Sequence, residues 1–395
     1  MADIADRTAE ALIDERLERL VAEHDPHGDR YDFMGAQYDL GLAWVWFPEG
    51  YGGLGLPPHL QHRVDERLDA ITEHRPRFFD VLGHGMGAPV LIAHGTDAQK
   101  RRFLRPMFTG EEVWCQLFSE PGAGSDLAGL STRAVRDGDE WIVNGQKVWT
   151  TVAHIASWGM LVARTDPDQP KHKGLTYFLI DMKAPGVEVR PLRQITGEAE
   201  FNEVYMTDAR IPDANRIGDL GDGWRIAMTT LMNERVAIGG NVAERGEGSI
   251  ADLVDVWRSR PDPRLADDVM RLWVAAEAAR LTNLRAQQNR EAGTPGPEGS
   301  TGKLVYAELN KKIYELALDL MGPEATLYDT YEFIQPRPGE AVSTDIRRRF
   351  LRVRANSIEG GTSEIMRNII GERVLGLPGE PRVDKDVPWK DTRRG

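Results

Sequence analysis

Glu234 carries a carboxylate where the sequence places the buried face of a helix. Within residues 224–238, Trp224, Ala227, Met228, Leu231 and Ile238 recur at the spacing of one helical stripe. Glu234 lies three residues after Leu231 and four before Ile238, on that stripe. An ionised carboxylate withdrawn from water is costly unless it is paired, neutralised by a raised pKa, or used in chemistry. A structural ion pair inside a bundle and a buried general base both satisfy this pattern.

Three further clusters have the composition of binding elements. The first is Phe118-Ser119-Glu120-Pro121-Gly122-Ala123-Gly124-Ser125-Asp126, where small residues let a ligand approach the backbone and two hydroxyls can donate to it. The run is neither a phosphate-binding P-loop nor a dinucleotide fingerprint, and a plain turn would read the same way. The second is Trp149-Thr150-Thr151, an aromatic face beside hydroxyls, suited to a flat heteroaromatic ring and equally to a buried strand tryptophan. The third is Gly360-Gly361-Thr362, a flexible turn feeding a helix that Thr362 can cap, with free N–H groups for an anion such as a diphosphate.

The elements that must position these residues fall into three regions. Residues 1–112 read mostly as helix, interrupted by the loop Pro48-Glu-Gly-Tyr-Gly-Gly-Leu-Gly55. Residues 113–222 read as strands. Trp141-Ile-Val and Lys147-Val-Trp are expected to form a hairpin through Asn144-Gly145, with a second turn at Asp137-Gly138. Further strands are expected over 160–163, 175–180, 187–189 and 203–206, enough for a small barrel or sandwich. Residues 223–395 return to helical periodicity, with long segments near 223–258, 263–292, 300–322 and 362–375, as in a bundle. The Pro-rich, charged tail after Leu377 is expected to pack poorly unless a partner chain holds it.

The 395 residues suffice for two or three domains with sizeable cores, and 41% hydrophobic with 28% charged residues is ordinary for a globular enzyme. A net charge of −13 disfavours nucleic acid or an anionic membrane as main partner. No apolar run reaches the roughly 20 residues of a membrane span, and the first residues lack a signal peptide's layout, so the expected location is the cytoplasm. Cys115 is the single cysteine, which excludes an internal disulfide and a thiolate metal site. The pairs His24/His27 and His59/His62 lack a clustered third ligand, so no metal is expected.

In this order and with these gaps, the motifs resemble the acyl-CoA dehydrogenase family. The resemblance extends to Gly95-Thr-Asp-Ala-Gln-Lys100, Phe201-Asn-Glu-Val-Tyr and Gly221-Asp-Gly-Trp224, and covers nearly the whole chain. It implies an α+β multidomain fold with an N-terminal helical domain (1–112), a middle β-barrel or sandwich domain (113–222) and a C-terminal four-helix bundle with tail (223–395). It also implies FAD held where the three meet, and assembly as a homotetramer or homodimer. Carried over by position, Gln116, Phe118, Ser119, Gly124 and Ser125 would line the flavin, Trp149 and Thr151 would lie against its ring, and Thr362, Ser363 and Glu364 would meet it from the last helix. Ser125 and Arg235 would contact substrate. The implied reaction turns an acyl-CoA thioester into its trans-2-enoyl-CoA and passes electrons to an electron-transferring flavoprotein.

This chain departs from the common family pattern in two places. The usual catalytic glutamate directly precedes the Gly-Thr of the last helix, and here that position is Gly360, with Glu359 one residue early. A minority of the family carries its base on the first bundle helix in a Leu-x-x-Glu-Arg context, matched here by Leu231-Met-Asn-Glu234-Arg235. Glu234 is therefore the first choice of base and Glu359 the second, with the Gly360 N–H still able to meet the thioester oxygen. The family's Arg-x-x-Phe-Gly signature has no counterpart between residues 252 and 290, leaving room for a heteromer. The competing readings are a flavin oxidase or monooxygenase of the same fold, and a non-catalytic subunit of a heteromeric enzyme.

Overall fold

The structure, a computed structural model, describes residues 2–239, 242–291, 298–328, 330, 332–335, 337 and 343–392. Two compact units emerge: Met1–Arg190 with Asn202–Thr230 and Asp386–Gly395, and Pro191–Phe201 with Leu231–Lys385.

The first unit opens with helices α1 (Ala2–Glu23), α2 (Arg30–Asp39), α3 (Gln61–Asp69), α4 (Ala88–His94) and α5 (Asp97–Thr109). Ile13, Leu17 and Leu20 of α1 pack with Phe33, Val64 and Leu68 in one apolar cluster. Helix α5 begins with a reciprocal cap: the Gln99 N–H donates to the Thr96 hydroxyl and the Thr96 N–H to the Gln99 side chain. It ends at Gly110, whose φ of 78° only glycine adopts cheaply.

Eight strands follow: β1 (Trp114–Leu117), β2 (Arg133–Asp137), β3 (Glu140–Thr151), β4 (Trp158–Arg164), β5 (Leu175–Asp181), β6 (Val187–Pro191), β7 (Phe201–Pro212) and β8 (Arg216–Ile217). Their order is β6-β7-β3-β2-β4-β5-β8, with β1 parallel to β4. Leu117, Trp141, Val143, Leu161, Phe178, Val204 and Met206 fill the core of the sheet.

The expected hairpin at Asn144-Gly145 does not form. Strand β3 runs straight through both residues, and Asn144 instead donates to Asp208 at 2.9 Å. A Cβ on Gly145 would collide with Thr132, so this glycine serves a close approach of backbones, not a turn. The β2–β3 turn sits at Gly138, where φ is 64° and Asp137 pairs with Glu140. The tail expectation also needs correcting. Trp389 is buried in the first unit, its indole N–H donating to the Gly129 carbonyl at 3.1 Å and the Arg164 guanidinium 4.4 Å from its ring.

Helix α6 (Gly223–Gly239) carries the chain into the second unit, the division falling after Thr230. There α7 (Ser249–Ser259), α8 (Ala266–Glu291), α10 (Ile346–Arg352) and α11 (Ser363–Ile369) pack around α9 (Glu298–Met321). The helix expected over 223–258 is two helices. Gly246 and Gly248, at φ of 84° and 77°, cannot continue a right-handed helix, and a Cβ on Gly246 would press into the Trp273 ring. The segment 362–375 is the short α11 followed by a wider turn over Ile370–Val374. Arg348 is paired with Glu198 and Arg352 with Glu200, which binds the segment 191–201 to α10 within the second unit. Among the described residues no helix is long and apolar enough to cross a membrane.

Candidate functional site

In the first unit the Gly-rich loop hangs from a buried ion pair. Lys147 is fully buried and donates to the Phe118 carbonyl and to Glu120, each at 2.9 Å. Glu120 also accepts the N–H groups of Ser131 at 2.6 Å and Thr132 at 2.9 Å. Burial pushes the Glu120 carboxyl up, but the Lys147 charge and these hydrogen bonds outweigh it and hold the carboxyl below its ordinary range. The start of the loop is thus tied to residues 131–132 while its tip stays open. Gly122, Gly124 and Ser125 are exposed, and a Cβ on either glycine would meet nothing within 4 Å. Phe118 is buried against Tyr177, while Gln116 and Ser119 are half-buried.

Strand β3 breaks its own alternation at Trp149. Trp141, Val143 and Lys147 share the buried parity, which would put residue 149 inside as well. Trp149 instead takes a φ of 61°, and its indole is turned out to 56% exposure while Thr150 becomes buried. Val152 is left-handed too, at a φ of 54°. For bulky and β-branched residues such backbone costs on the order of 1–3 kcal/mol each and persists where function or packing demands it. The Thr150 hydroxyl is buried without a hydrogen-bond partner, and the Thr150 carbonyl accepts from buried Asn202 at 3.1 Å. Thr151 is half-buried beside it.

The second unit carries both candidate bases. Glu359 is occupied: Arg352 donates to both its oxygens at 3.0 Å, and the Asn356 amide adds a bond of 2.8 Å. Glu234 is half-buried on α6 and lies within the electrostatic reach of Lys303. The side chains of Arg235 and Ile238 lie outside the described residues. Gly360 and Gly361 both have positive φ, 61° and 93°. Thr362 caps α11 by accepting from the Ile365 N–H at 3.1 Å. Ser363 is buried with its hydroxyl donating to Glu308 at 2.7 Å, and Glu364 is exposed beside Arg367.

Sequence reasoning missed the residues that hold these turns, namely Lys147, Glu120, Asn202, Arg352 and Lys303. Two of them were legible by the periodicity that exposed Glu234. Lys147 shares the parity of Trp141 and Val143, and Lys303 lies on the α9 stripe of Ala307, Asn310, Tyr314 and Ala317.

Models of the N-terminal, middle and C-terminal domains of acyl-CoA dehydrogenases match residues 3–111, 115–209 and 221–375. This chain belongs to the acyl-CoA dehydrogenase family. The acyl-CoA dehydrogenase IpdE1 of Mycobacterium tuberculosis is 38% identical over 365 residues, 91% of each chain. A solved variant of the steroid acyl-CoA dehydrogenase Tcur3481-Tcur3483 is similar at 26% identity and a TM-score of 0.70, covering 93% of this chain and 94% of that one. The ChsE4-ChsE5 complex of Mycobacterium tuberculosis is similar at 29% identity and a TM-score of 0.69, covering 93% of each chain. The protein is accordingly an oxidoreductase of the acyl-CoA dehydrogenase type, and its cofactor is FAD. The first unit fits that cofactor: it offers an exposed indole face, a buried hydroxyl lacking a partner, and a glycine loop with open space at its tip.

Proposed function

We propose that this acyl-CoA dehydrogenase introduces a trans double bond between the α- and β-carbons of a bulky acyl-CoA thioester, with Glu234 as the base. The observation carrying this choice is the state of Glu359, whose two oxygens are taken up by Arg352 and Asn356. A carboxylate with both oxygens engaged by a guanidinium must break those hydrogen bonds before it can reach a substrate proton. Glu234 takes the α-proton, and the Gly360 N–H donates to the thioester oxygen as charge develops there. FAD, when bound, supplies the two-electron acceptor for the hydride leaving the β-carbon. Gln116, Phe118, Ser119, Gly124, Ser125, Trp149 and Thr151 hold and orient it, with Thr362, Ser363 and Glu364 as further contacts. Ser125 and Arg235 contact the acyl-CoA.

The bulky acyl class rests on two supports: a glycine at 360, where a side chain would occupy space, and the likeness to a steroid acyl-CoA dehydrogenase. We further propose the three-domain division 1–112, 113–222 and 223–395, transfer of electrons to an electron-transferring flavoprotein, and a cytoplasmic location in keeping with the single buried cysteine. The working form is an oligomer: a homodimer, a homotetramer or a pairing with a related chain. Helix α8 exposes Met270, Val274 and Leu281 along one stripe, an apolar face of the kind a partner covers.

Anaerobic mixing of the purified holoenzyme with straight-chain, branched and steroid-side-chain CoA thioesters tests the reading. We expect the flavin to bleach with the bulky thioesters, to give the 2-enoyl product, and to reoxidise slowly in air. Rapid peroxide release would make the protein an oxidase, and a chain that purifies colourless would make it a non-catalytic subunit.

A further inference from the structure

Lys303 is 4% exposed, yet its ammonium meets no carboxylate at salt-bridge distance among the described residues. It donates instead to two backbone carbonyls, Asn356 at 2.7 Å and Gly361 at 2.6 Å. These carbonyls bracket the turn that holds Gly360. From the other side Glu359 ties the same turn to Arg352 and to the Asn356 amide, and Asn310 on α9 donates to the Asn356 side chain at 3.4 Å. The Gly360 N–H has no partner among the described residues. Two consecutive glycines at positive φ have little stiffness of their own, so the aim of that N–H depends on what grips the turn. Lys303 also senses the charges of Glu234, Glu308 and Glu359.

We propose that Lys303 is a positioning residue for the dehydrogenation: it clamps the 356–361 turn at both ends, so that the Gly360 N–H is aimed at the thioester oxygen. The inference rests on the reading of Gly360 as the oxyanion donor. It goes beyond that reading by assigning the preorganisation of the donor to a buried cation. A donor held in advance needs no reorganisation during reaction, and a misplacement of about 1 Å can cost about 10²-fold in rate. Electrostatically, the ammonium places positive charge behind the turn toward which negative charge develops.

The test compares holoenzyme with Lys303→Met and Lys303→Gln, the second keeping N–H donors for the carbonyls but no charge. The substrate is the acyl-CoA of the panel above that bleaches the flavin fastest. Each variant is measured for FAD content, unfolding temperature, kcat and KM. The carbonyl stretch of the matching bound 2-enoyl-CoA is recorded by infrared difference spectroscopy. We expect kcat to fall on the order of 10- to 100-fold in Lys303→Met with a smaller change in KM. The carbonyl stretch should move back toward its value in water, and Lys303→Gln should lie between the two. A folded, FAD-loaded Lys303→Met with unchanged kcat and carbonyl frequency would overturn the proposal. So would failure of both variants to fold or hold FAD, which would assign Lys303 to stability alone. Glu234→Gln separates this inference from the choice of base. It should lose turnover yet keep the carbonyl shift, and a wild-type spectrum with no shift would sink the oxyanion reading itself.

Discussion

Two buried lysines grip two glycine-bearing turns, one in each unit, and they are neutralised differently. Lys147 on β3 holds the 118–126 loop through the Phe118 carbonyl and a direct ion pair with Glu120. Lys303 on α9 holds the 356–361 turn through carbonyls alone. An ion pair satisfied in place has little field left to act on anything else, so Lys147 belongs to the scaffold. Burial pulls the Lys303 pKa below its ordinary value and the nearby charges of Glu359, Glu234 and Glu308 only partly offset this, so its ammonium is coupled to all three carboxylates. The same residue type in the same kind of position thus serves stability in one unit and the electrostatics of a reaction in the other.

Breaking the scaffold lysine should have the largest effect on folding. Lys147→Met leaves Glu120 charged, buried and short of its partner, at a cost of about 3–5 kcal/mol. Denaturant unfolding of the purified variant measures this, and a loss below about 1 kcal/mol would remove the distinction between the two lysines. The same pair predicts acid sensitivity. The Glu120 carboxyl is held below its ordinary range when folded, so its stabilisation is full above the unfolded value and is lost as pH falls through the folded one. Unfolding of the wild type should therefore steepen below the ordinary glutamate range, and Glu120→Gln should flatten that limb.

A smaller effect of opposite sign is expected at Trp149. Trp149→Gly relieves a left-handed backbone and should raise the stability of the FAD-free protein by about 1 kcal/mol, while weakening the hold on FAD. Calorimetry with and without FAD reads both, and a loss of stability in the FAD-free state would show that the indole serves packing. The smallest shift belongs to Thr150→Val. Replacing a buried hydroxyl that lacks a partner should change the FAD-free stability by less than about 1 kcal/mol, and should lower FAD affinity if that hydroxyl meets the cofactor.

Much of the architecture was legible because periodicity is a local property. The strands over 158–164 and 175–181 follow from short continuous apolar runs, and the α9 stripe from helical spacing. What escaped was conformation chosen by neighbours. Asn144-Gly145 has the composition of a tight turn, but Thr132 lies where a side chain on residue 145 would go, and the strand continues. No local rule puts a tryptophan at a φ of 61°, so the outward turn of Trp149 was out of reach. The break after α6 was within reach, since Gly239, Gly240, Gly246 and Gly248 crowd ten residues of an otherwise helical pattern. Of the candidate site, the loop and the tryptophan stood out by residue type and Glu234 by helical spacing, whereas Glu359 came only from the resemblance to the family. The status of Glu359 could not be read from the sequence, because its partner Arg352 becomes a neighbour only through the fold at the end of α10.

The most direct measurement compares the anaerobic flavin bleaching rate of Glu234→Gln and Glu359→Gln, each loaded with FAD and mixed with the same acyl-CoA in a stopped-flow instrument. Glu234→Gln should bleach roughly 10²–10⁴-fold more slowly than wild type. Glu359→Gln should keep most of the rate and lose only some stability. The reverse order, with Glu359→Gln inert and Glu234→Gln active, would contradict the assignment of the base.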